Sequence, residues 1–511
     1  MRKLVVITLI ATAGLFTCGS VSAQIKPGKS VQEDVSPAKA LVQEADSSDV
    51  PVVITMEQAL QIALSENVSV KVADKEIERT KYAKKGAYAA LYPQIDVAGN
   101  YQRTIKKQVM YMDIDMSALG GGAGSPGEGT GEGAGSPGEG SGEGTGEGAG
   151  EGAGESASPM ADGLEVGRWN TWSAGVTAAM PIVNAQLWKS LKVSGQEVEL
   201  AVEKARASRL EMVTQVKNAY YATLLAKEAF NVYKEVYENA VRNCEEVQKK
   251  YDAQKVSEFE LIRAKTSVAN AIPNVYSAES SVILSLWQLK ALMGVDLDLN
   301  IDTAGSLDDY SQHMFYDIHQ NDSISLANNS TMRQLAIQAE ELANTIKVQK
   351  YANIPTLSAV FNFSFNAMTN DFNFSQYKWT PYSYVGLSLS IPIFAGGKRA
   401  NNIRQAKNQY EQLQLRTTDT ERQLKIAIRQ SLNTMETNMK SYYAAQDAVV
   451  SAQKAYDIAE KSYQVGRSTL IELNDAQLAL TQARLAQSQA VYNFVVAKAQ
   501  LEQTLGQDFT E

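Results

Sequence analysis

Few residues of this sequence have the type and spacing that catalysis or metal binding requires. The two histidines, His313 and His319, lie in one short stretch, and the sequence offers no second cluster of ligands to complete a site. Cys244 is the only cysteine after the first 23 residues, so no disulfide framework is possible. Neither a Gly-x-Ser-x-Gly nor a His-Glu-x-x-His motif occurs. We therefore predict no catalytic residue, no metal site and no cofactor, which argues against a hydrolytic enzyme.

The first 23 residues have the pattern of a cleaved signal peptide. Arg2 and Lys3 precede a short apolar run, and small residues at 21–23 follow it. Cys18 lies in a partial lipidation motif, so lipidation remains an alternative to simple cleavage. Without this segment the chain has 46 basic and 57 acidic residues, a net charge of −11. Such a balance argues against a nucleic-acid partner, which normally requires a basic surface.

One unit occurs twice in the sequence. Pro93 and Pro355 each end a helical pattern and open an alternating one, while Pro181 and Pro392 do the reverse. We interpret these four prolines as strand–helix junctions. The offset between the halves is 262 at the first pair and 211 at the second, so 51 extra residues lie in the first half. They include a Gly/Glu-rich loop insertion at 119–162, whose composition is typical of a solvated spacer; the period-four glutamates lack an EF-hand pattern.

Between the junctions, apolar and polar residues alternate as they do in β-strands. The strands are predicted at 94–112, 169–183, 356–367 and 382–394. Alternation over about ten residues is typical of transmembrane β-strands, but a soluble β-sandwich alternates equally well. No run of eighteen apolar residues follows the signal peptide, so a bilayer would have to be crossed by a closed barrel.

The remaining segments have a helical pattern. Helices are predicted at 56–91, 184–250, 257–293, 321–353, 398–464 and 469–505. The two longest would each extend about 100 Å, at about 1.5 Å per residue. A helix of that length cannot leave half its apolar stripe uncovered, so the shorter helices must stack end to end along it as antiparallel coiled-coil pairs.

The predicted domain organisation is a pair of repeats. The first covers 55–295 and the second 321–511, with an N-terminal linker at 24–54 and a connector at 296–320. Four strands leave sheet edges open, which cannot persist in lipid, so identical copies must close them. Stripes rich in alanine and polar residues favour a hollow tube over a filled bundle.

The whole mature chain resembles the TolC-like outer membrane efflux protein family. The resemblance lies in the opening helix Thr55–Leu64, in Pro181 and Pro392, in Ile393–Gly397, and in the turn segment Tyr463–Ala476. It implies a mainly α fold with a β-barrel portion: a homotrimer whose α-helical tunnel joins a shared transmembrane β-barrel in the outer membrane. It also implies a long periplasmic extension, with a periplasmic adaptor and an inner-membrane pump of the RND or ABC type as partners.

The resemblance further implies two functional regions in the helices. Adaptors would dock at the turns between long and returning helices, formed by Gln254, Lys255, Val256 and Ser257 and by Val465, Gly466, Arg467 and Ser468. Glu472 and Asp475 fall where the family has acidic rings, and three-residue spacing puts them on one helical face. In a trimer they would crowd six carboxylates into a constriction, or gate. The alternative is that both are ordinary solvated residues.

The predicted function is therefore a passive outer-membrane channel of a tripartite efflux or type I secretion system. A trimeric coiled-coil structural or adhesive protein, anchored by a β-barrel, is the alternative. Such stalks place their barrel once, normally at the C-terminal end, whereas here strands occur twice and lie between helices.

Overall fold

The computed structural model describes residues 51–110, 164–314 and 325–507. The predicted signal peptide, Cys18, His319 and the insertion at 119–162 lie outside these residues. The chain divides into two units. The helical unit comprises Met1–Ala87, Trp188–Tyr351 and Ala395–Glu511, and the strand unit comprises Tyr88–Leu187 and Ala352–Phe394.

Helices account for most of the described chain. They are α1 Met56–Glu66, α2 Val68–Ala89, α3 Ala185–Asp252, α4 Glu258–Met293, α5 Ser330–Tyr351, α6 Lys398–Gln464 and α7 Leu470–Leu505. The strands are β1 Val52–Ile54, β2 Gln94–Arg103, β3 Gln108–Met110, β4 Leu164–Val166, β5 Asn170–Val183, β6 Ile301–Thr303, β7 Thr356–Thr369 and β8 Thr380–Ser390. Short 3-10 helices occur at Leu307–His313 and Phe374–Gln376. Among the described residues, no helix is both long enough and apolar enough to cross a membrane.

The strand unit is built on a four-stranded antiparallel sheet of order β2-β5-β7-β8. Its register places the apolar positions of all four strands on one face: Val97 pairs with Val176, which pairs with Phe363. On the other face, Gly175 lies so close to β7 that a Cβ would stand 2.9 Å from the carbonyl oxygen of Phe363. Glycine at this position therefore permits close strand pairing.

Two predicted strands have different bounds in the structure. The strand predicted at 94–112 ends at Arg103, and Gln108–Met110 forms a separate hairpin with Leu164–Val166. Lys106 and Lys107 lie between them and break the alternation that sustains one strand. The strand predicted at 382–394 runs from Thr380 to Ser390. Pro392 follows that end and has no N–H to continue the ladder.

The helical unit has a core in which β1 and β6 form a two-stranded parallel sheet. The single proton of the buried Tyr220 hydroxyl of α3 is shared between the carbonyl oxygens of Ile54, at 3.1 Å, and Ala304, at 2.7 Å. These bonds tie both strands to the long helix. The segments predicted as an N-terminal linker at 24–54 and a connector at 296–320 thus each contain a short strand, and the two strands pair with each other.

Two predicted helices are shorter or interrupted. The helix predicted at 56–91 is split at Asn67, whose extended backbone ends α1 while its side chain accepts from the N–H of Ser69 and caps α2. The helix predicted at 321–353 begins at Ser330, where the side chain of Asn329 accepts from the N–H of Met332. In both cases an asparagine cap, rather than the apolar pattern, sets the start of the helix.

Candidate functional site

The two helical turns of the predicted tip have the same backbone hydrogen bonds. After α3, the N–H of Gln254 donates to Tyr251 and that of Lys255 donates to Lys250, both at 2.8 Å. After α6, Gly466 donates to Tyr463 at 3.1 Å and Arg467 donates to Ser462 at 2.8 Å. This is the Schellman pattern, which satisfies the last carbonyls of a helix. Each long helix therefore ends in a defined turn.

The Schellman pattern requires a left-handed residue, and the two turns supply it differently. Gly466 has φ +75° with nothing near its Cβ position, whereas Gln254 has φ +57° and is the only non-glycine residue with positive φ among the described residues. A side chain in this conformation costs about 1–2 kcal/mol. The first turn therefore holds backbone strain that the second avoids. The other predicted tip residues lie at the surface of these turns: Lys255, Ser257, Val465 and Arg467 are exposed, and Val256 and Ser468 are half-buried.

Capping residues start both returning helices. The Ser257 Oγ accepts from the N–H of Glu260 at 3.3 Å and caps α4. Thr469 and Glu472 form a full capping box at α7: the Thr469 Oγ1 accepts from the Glu472 N–H at 3.3 Å, and Glu472 accepts from the Thr469 N–H at 3.1 Å. Glu472 thus has a structural role at the helix start, whatever else it does.

The two predicted gate residues are both exposed on the first turns of α7. The Glu472 carboxylate is held by the capping box, while Asp475 has no hydrogen-bond or ion-pair partner among the described residues. The Asp475 carboxylate can therefore form new contacts without weakening the cap of α7, whereas the Glu472 carboxylate cannot.

A small apolar core lies beneath the turns and joins the ends of four helices. Its buried members are Val247 of α3, Leu261 and Ala264 of α4, Tyr456 and Tyr463 of α6, and Leu470, Leu473 and Leu480 of α7. The Lys250 ammonium of α3 lies 4.9 Å from the centroid of the Tyr463 ring. Burial, with Glu260 nearby, raises the pKa of Tyr463 to about 12. The two turns are thus packed into one body rather than left as separate hairpins.

A second link between the hairpins lies farther along the helices. Arg484 of α7 donates to the Glu235 carboxylate of α3 at 2.5 Å and to the Gln453 side chain of α6 at 2.9 Å. Both charged side chains are partly exposed, so the pair contributes modestly to stability. Its position nevertheless joins α7, α3 and α6 through one guanidinium group.

The four prolines predicted as strand–helix junctions lie at or near strand ends. Pro93 and Pro355 immediately precede β2 and β7, and Pro392 follows β8. Pro181 lies inside β5, where the register with β7 shifts between Pro181 and Val183. A bulge there is expected, because proline cannot donate to the ladder.

Sequence reasoning missed the structural use of Glu472 and of the two capping asparagines. The spacing Thr469-x-x-Glu472 is itself a capping-box signature, whereas the prediction from the sequence makes Glu472 only one carboxylate of a gate. Asn67 and Asn329 are 262 residues apart, the same offset as Pro93 and Pro355. The two asparagines therefore occupy equivalent positions in the two repeats, which is a signal that the sequence contains. In the described part of the chain, no three His, Cys, Asp or Glu side chains are grouped to hold a metal ion.

Comparison with known proteins gives consistent matches. Residues 148–295 and 323–507 match the family model described as outer membrane efflux protein. The chain is 20% identical to outer membrane protein TolC of Escherichia coli (strain K12) over 355 residues, 66% of this chain and 70% of TolC. It is similar to the solved CmeC outer membrane channel of Campylobacter jejuni, with a TM-score of 0.63, 17% identity and coverage of 88% and 85%. The open MtrE outer membrane channel of Neisseria gonorrhoeae gives a TM-score of 0.63, 16% identity and coverage of 88% of each chain.

Proposed function

Because this chain belongs to the outer membrane efflux protein family, we propose that it is the outer-membrane channel subunit of a tripartite efflux or type I secretion system. Three copies form a duct that conducts substrates passively from a periplasmic adaptor and an inner-membrane pump to the exterior. In this proposal, the duplicated order of helix, two strands, long helix and returning helix is one repeat used twice per subunit.

The observation that most supports this proposal is an apolar sheet face exposed to solvent. Val97 is 79% exposed, Phe361 41% and Val385 79%, all on the same face of the sheet. A soluble sandwich would bury that face against a second sheet. In a bilayer the same face meets hydrocarbon, and the polar face lines water.

The edges of the sheet support assembly into a shared barrel. Within the described residues, β2 pairs only with β5, and β8 pairs only with β7. Open edges present unpaired backbone groups that are costly in lipid. Pairing β2 of one subunit with β8 of the next, three times, removes every edge.

Aromatic side chains at one end of the apolar face fit a membrane interface. The rings of Tyr101 and Trp172 lie 4.3 Å apart, and Phe374 lies 5.3 Å from Trp172. Transmembrane barrels carry aromatic girdles where the apolar band ends. This end of the sheet would therefore mark one bilayer surface.

Adaptor docking is assigned to the two Schellman turns. Their defined backbone and exposed side chains form a rigid surface, and the shared apolar core beneath keeps both turns in place. A trimer would present six such turns to the adaptor.

Cysteine crosslinking and conductance together test the duct. In a Cys244→Ser background, Asn100→Cys on β2 is combined in turn with Tyr384→Cys, Gly386→Cys and Ser388→Cys on β8. Oxidation should give dimers and trimers on a denaturing gel for the pair in register. Ser173→Cys on the interior strand β5 replaces Asn100→Cys as the matched control and should give none.

The purified protein should also form trimers in detergent and open ion-conducting channels in planar bilayers. A compact monomer that is water-soluble without detergent would refute the proposal. A trimer that inserts but never conducts would instead favour a structural or adhesive protein.

A further inference from the structure

The segments that adjoin the strands along the chain are positively charged. These basic segments, residues 81–87, 188–195, 342–351 and 395–410, contain eleven Lys and Arg and no Asp or Glu. The chain as a whole has a net charge of −9, and the turn region 245–260 mixes five acidic residues with three lysines. The basic segments are therefore positively charged in a protein whose net charge is negative.

Each basic segment is joined directly to a strand of the four-stranded sheet. Ala87 is seven residues before β2, Trp188 is five after β5, Tyr351 is five before β7, and Ala395 is five after β8. At most about 3.5 Å per residue, these links keep the segments within roughly 25 Å of the strand ends. If the strands cross a bilayer, as the proposed function requires, the basic segments lie within reach of its surface.

Three of the lysines lie close together, and one carboxylate, that of Glu340, lies near two of them. Partial burial, with the ammonium groups of Lys347 and Lys192 nearby, lowers the pKa of the Lys189 amine. Lys192 has one ion pair, with Glu340 at 3.5 Å, in which both side chains are largely exposed. An exposed pair of this kind contributes little. The cluster formed by Lys189, Lys192 and Lys347 therefore has three positive charges beside one exposed carboxylate, and an added anion would reduce their mutual repulsion.

A fourth lysine approaches the cluster from the neighbouring helix α2. The Lys84 Nζ lies 3.8 Å from the position that a Cβ of Gly195 would take on α3. A Cβ there would be in ordinary van der Waals contact with the lysine, so Lys84 lies against α3 beside Gly195. Lys84 of α2 thus lies against α3 three residues, or about one helical turn, from Lys192 of the cluster.

Exposed aromatic residues lie in the same segments. Tyr82 is 67% exposed, Trp188 51% and Tyr351 38%, and the Lys85 ammonium lies 5.2 Å from the centroid of the Tyr82 ring. Tyrosine and tryptophan are enriched where a protein meets lipid headgroups, since one end of each ring system is apolar and the other polar. Their presence favours a lipid surface over a soluble anion.

We propose that the basic segments bind the phosphate groups of anionic phospholipids at the membrane surface, with Lys189, Lys192 and Lys347 as the central contacts. The lysine ammonium is a compact charge that suits a phosphate oxygen, and its flexible stem lets it follow a fluid headgroup. The bound lipids neutralise the crowded lysines and hold the helix ends against the membrane.

Native mass spectrometry of the detergent-purified trimer tests the proposal. Phosphatidylglycerol or phosphatidylcholine is titrated into the wild-type protein and into the triple variant Lys189→Gln, Lys192→Gln, Lys347→Gln. The matched control is Lys234→Gln, Lys265→Gln, Lys454→Gln, which removes the same charge from exposed positions on α3, α4 and α6. Inorganic phosphate is added as a soluble competitor in a separate arm.

The wild type should bind phosphatidylglycerol in preference to phosphatidylcholine. The triple variant should weaken that binding about tenfold or more, because each basic residue near an anionic surface contributes roughly fivefold. The control should bind as the wild type does, and equimolar inorganic phosphate should not displace the lipid.

Three outcomes would overturn the proposal: equal binding of both lipids, equal losses in the two triple variants, or displacement of the lipid by inorganic phosphate. Co-sedimentation with purified cell-wall polymer that depends on the lysine cluster, with lipid binding unchanged, would reassign the cluster to the cell wall. Planar-bilayer conductance of the same samples tests the proposed function independently. A protein that conducts ions but shows no lipid preference would contradict the lipid site and leave the channel function standing.

Discussion

The side-chain amide of Asn329 donates a 2.6 Å hydrogen bond to the carbonyl oxygen of Thr504, where the end of α7 meets the start of α5. The other half of the chain repeats this contact: the Asn67 amide donates to the Leu292 carbonyl at 2.7 Å, where α4 meets α2. Each asparagine also caps the helix that follows it. One side chain therefore satisfies the end of one helix and the start of the next, which joins two short helices end to end alongside a long one.

Asn329→Ala should destabilise the helical unit by about 1–3 kcal/mol. The substitution removes an N-cap, which contributes about 0.5–2 kcal/mol, and leaves the Thr504 carbonyl without this donor. Thermal unfolding of the purified protein in detergent, followed by circular dichroism, measures the loss. Asn408→Ala, at an exposed position within α6, is the matched control and should change little. Equal midpoints for both variants would contradict the assigned role of Asn329.

The same junctions explain which parts of the fold could be read from the sequence. Proline and glycine mark the long helices clearly, as Gly397 and Gly466 do on either side of α6. The break at Asn67 was missed because the apolar pattern continues across it. β1 and β6 were missed because three residues are too few for alternation to be recognised, and they are defined by packing on Tyr220.

The acidic pair shows a similar limit. Residue type and position predict a shared role for Glu472 and Asp475, but the structure distinguishes the carboxylate that caps a helix from the one that has no partner in the described part of the chain. Acidic residues occur both in capping boxes at helix starts and in the charged rings of a constriction. Sequence alone therefore cannot divide the two roles.

Gln254→Gly should stabilise the first turn by about 0.5–1 kcal/mol. Glycine removes the left-handed strain, and the greater freedom of the unfolded chain offsets part of the gain. Lys255→Gly, one residue on, does not occupy the left-handed position and should destabilise the protein instead. Chemical unfolding midpoints of the two variants give the comparison, and a shift of the same sign in both would argue against strain at Gln254.

The gate prediction is best tested by separating charge from capping. Glu472→Gln with Asp475→Asn removes both charges but keeps a residue that completes the capping box, so it should raise single-channel conductance with stability unchanged. Thr469→Ala removes the cap and keeps the charges, so it should lower stability and leave the closed-state conductance as it is. Planar-bilayer recordings that show no change for the double variant would exclude these residues from a gate.

The apolar core beneath the two turns should lose stability in alkali, through Tyr463. Its folded pKa of about 12 lies above the ordinary value of 10.0, so its neutral form is favoured in the folded protein. The associated stability is fully present below pH 10 and falls as the pH rises from about 10 to 12. Tyr463→Phe should therefore lose less thermal stability than the wild type between about pH 10 and 12. Tyr276→Phe, at a 67% exposed ring, should follow the wild type, and parallel curves for all three proteins would contradict the assignment.

The two faces of β8 give the sharpest test of membrane insertion. Leu387 lies on the apolar face and is 71% exposed, while its neighbour Ser388 lies on the polar face. In a transmembrane barrel, Leu387→Arg puts a charge into hydrocarbon, at a cost of about 2–4 kcal/mol near the bilayer centre, whereas Ser388→Arg puts it into water. Leu387→Arg should therefore reduce assembly into lipid vesicles, measured as the heat-resistant trimer on a gel. Ser388→Arg should assemble normally and instead shift conductance towards anions. Equal assembly of both variants would mean that this face does not meet lipid.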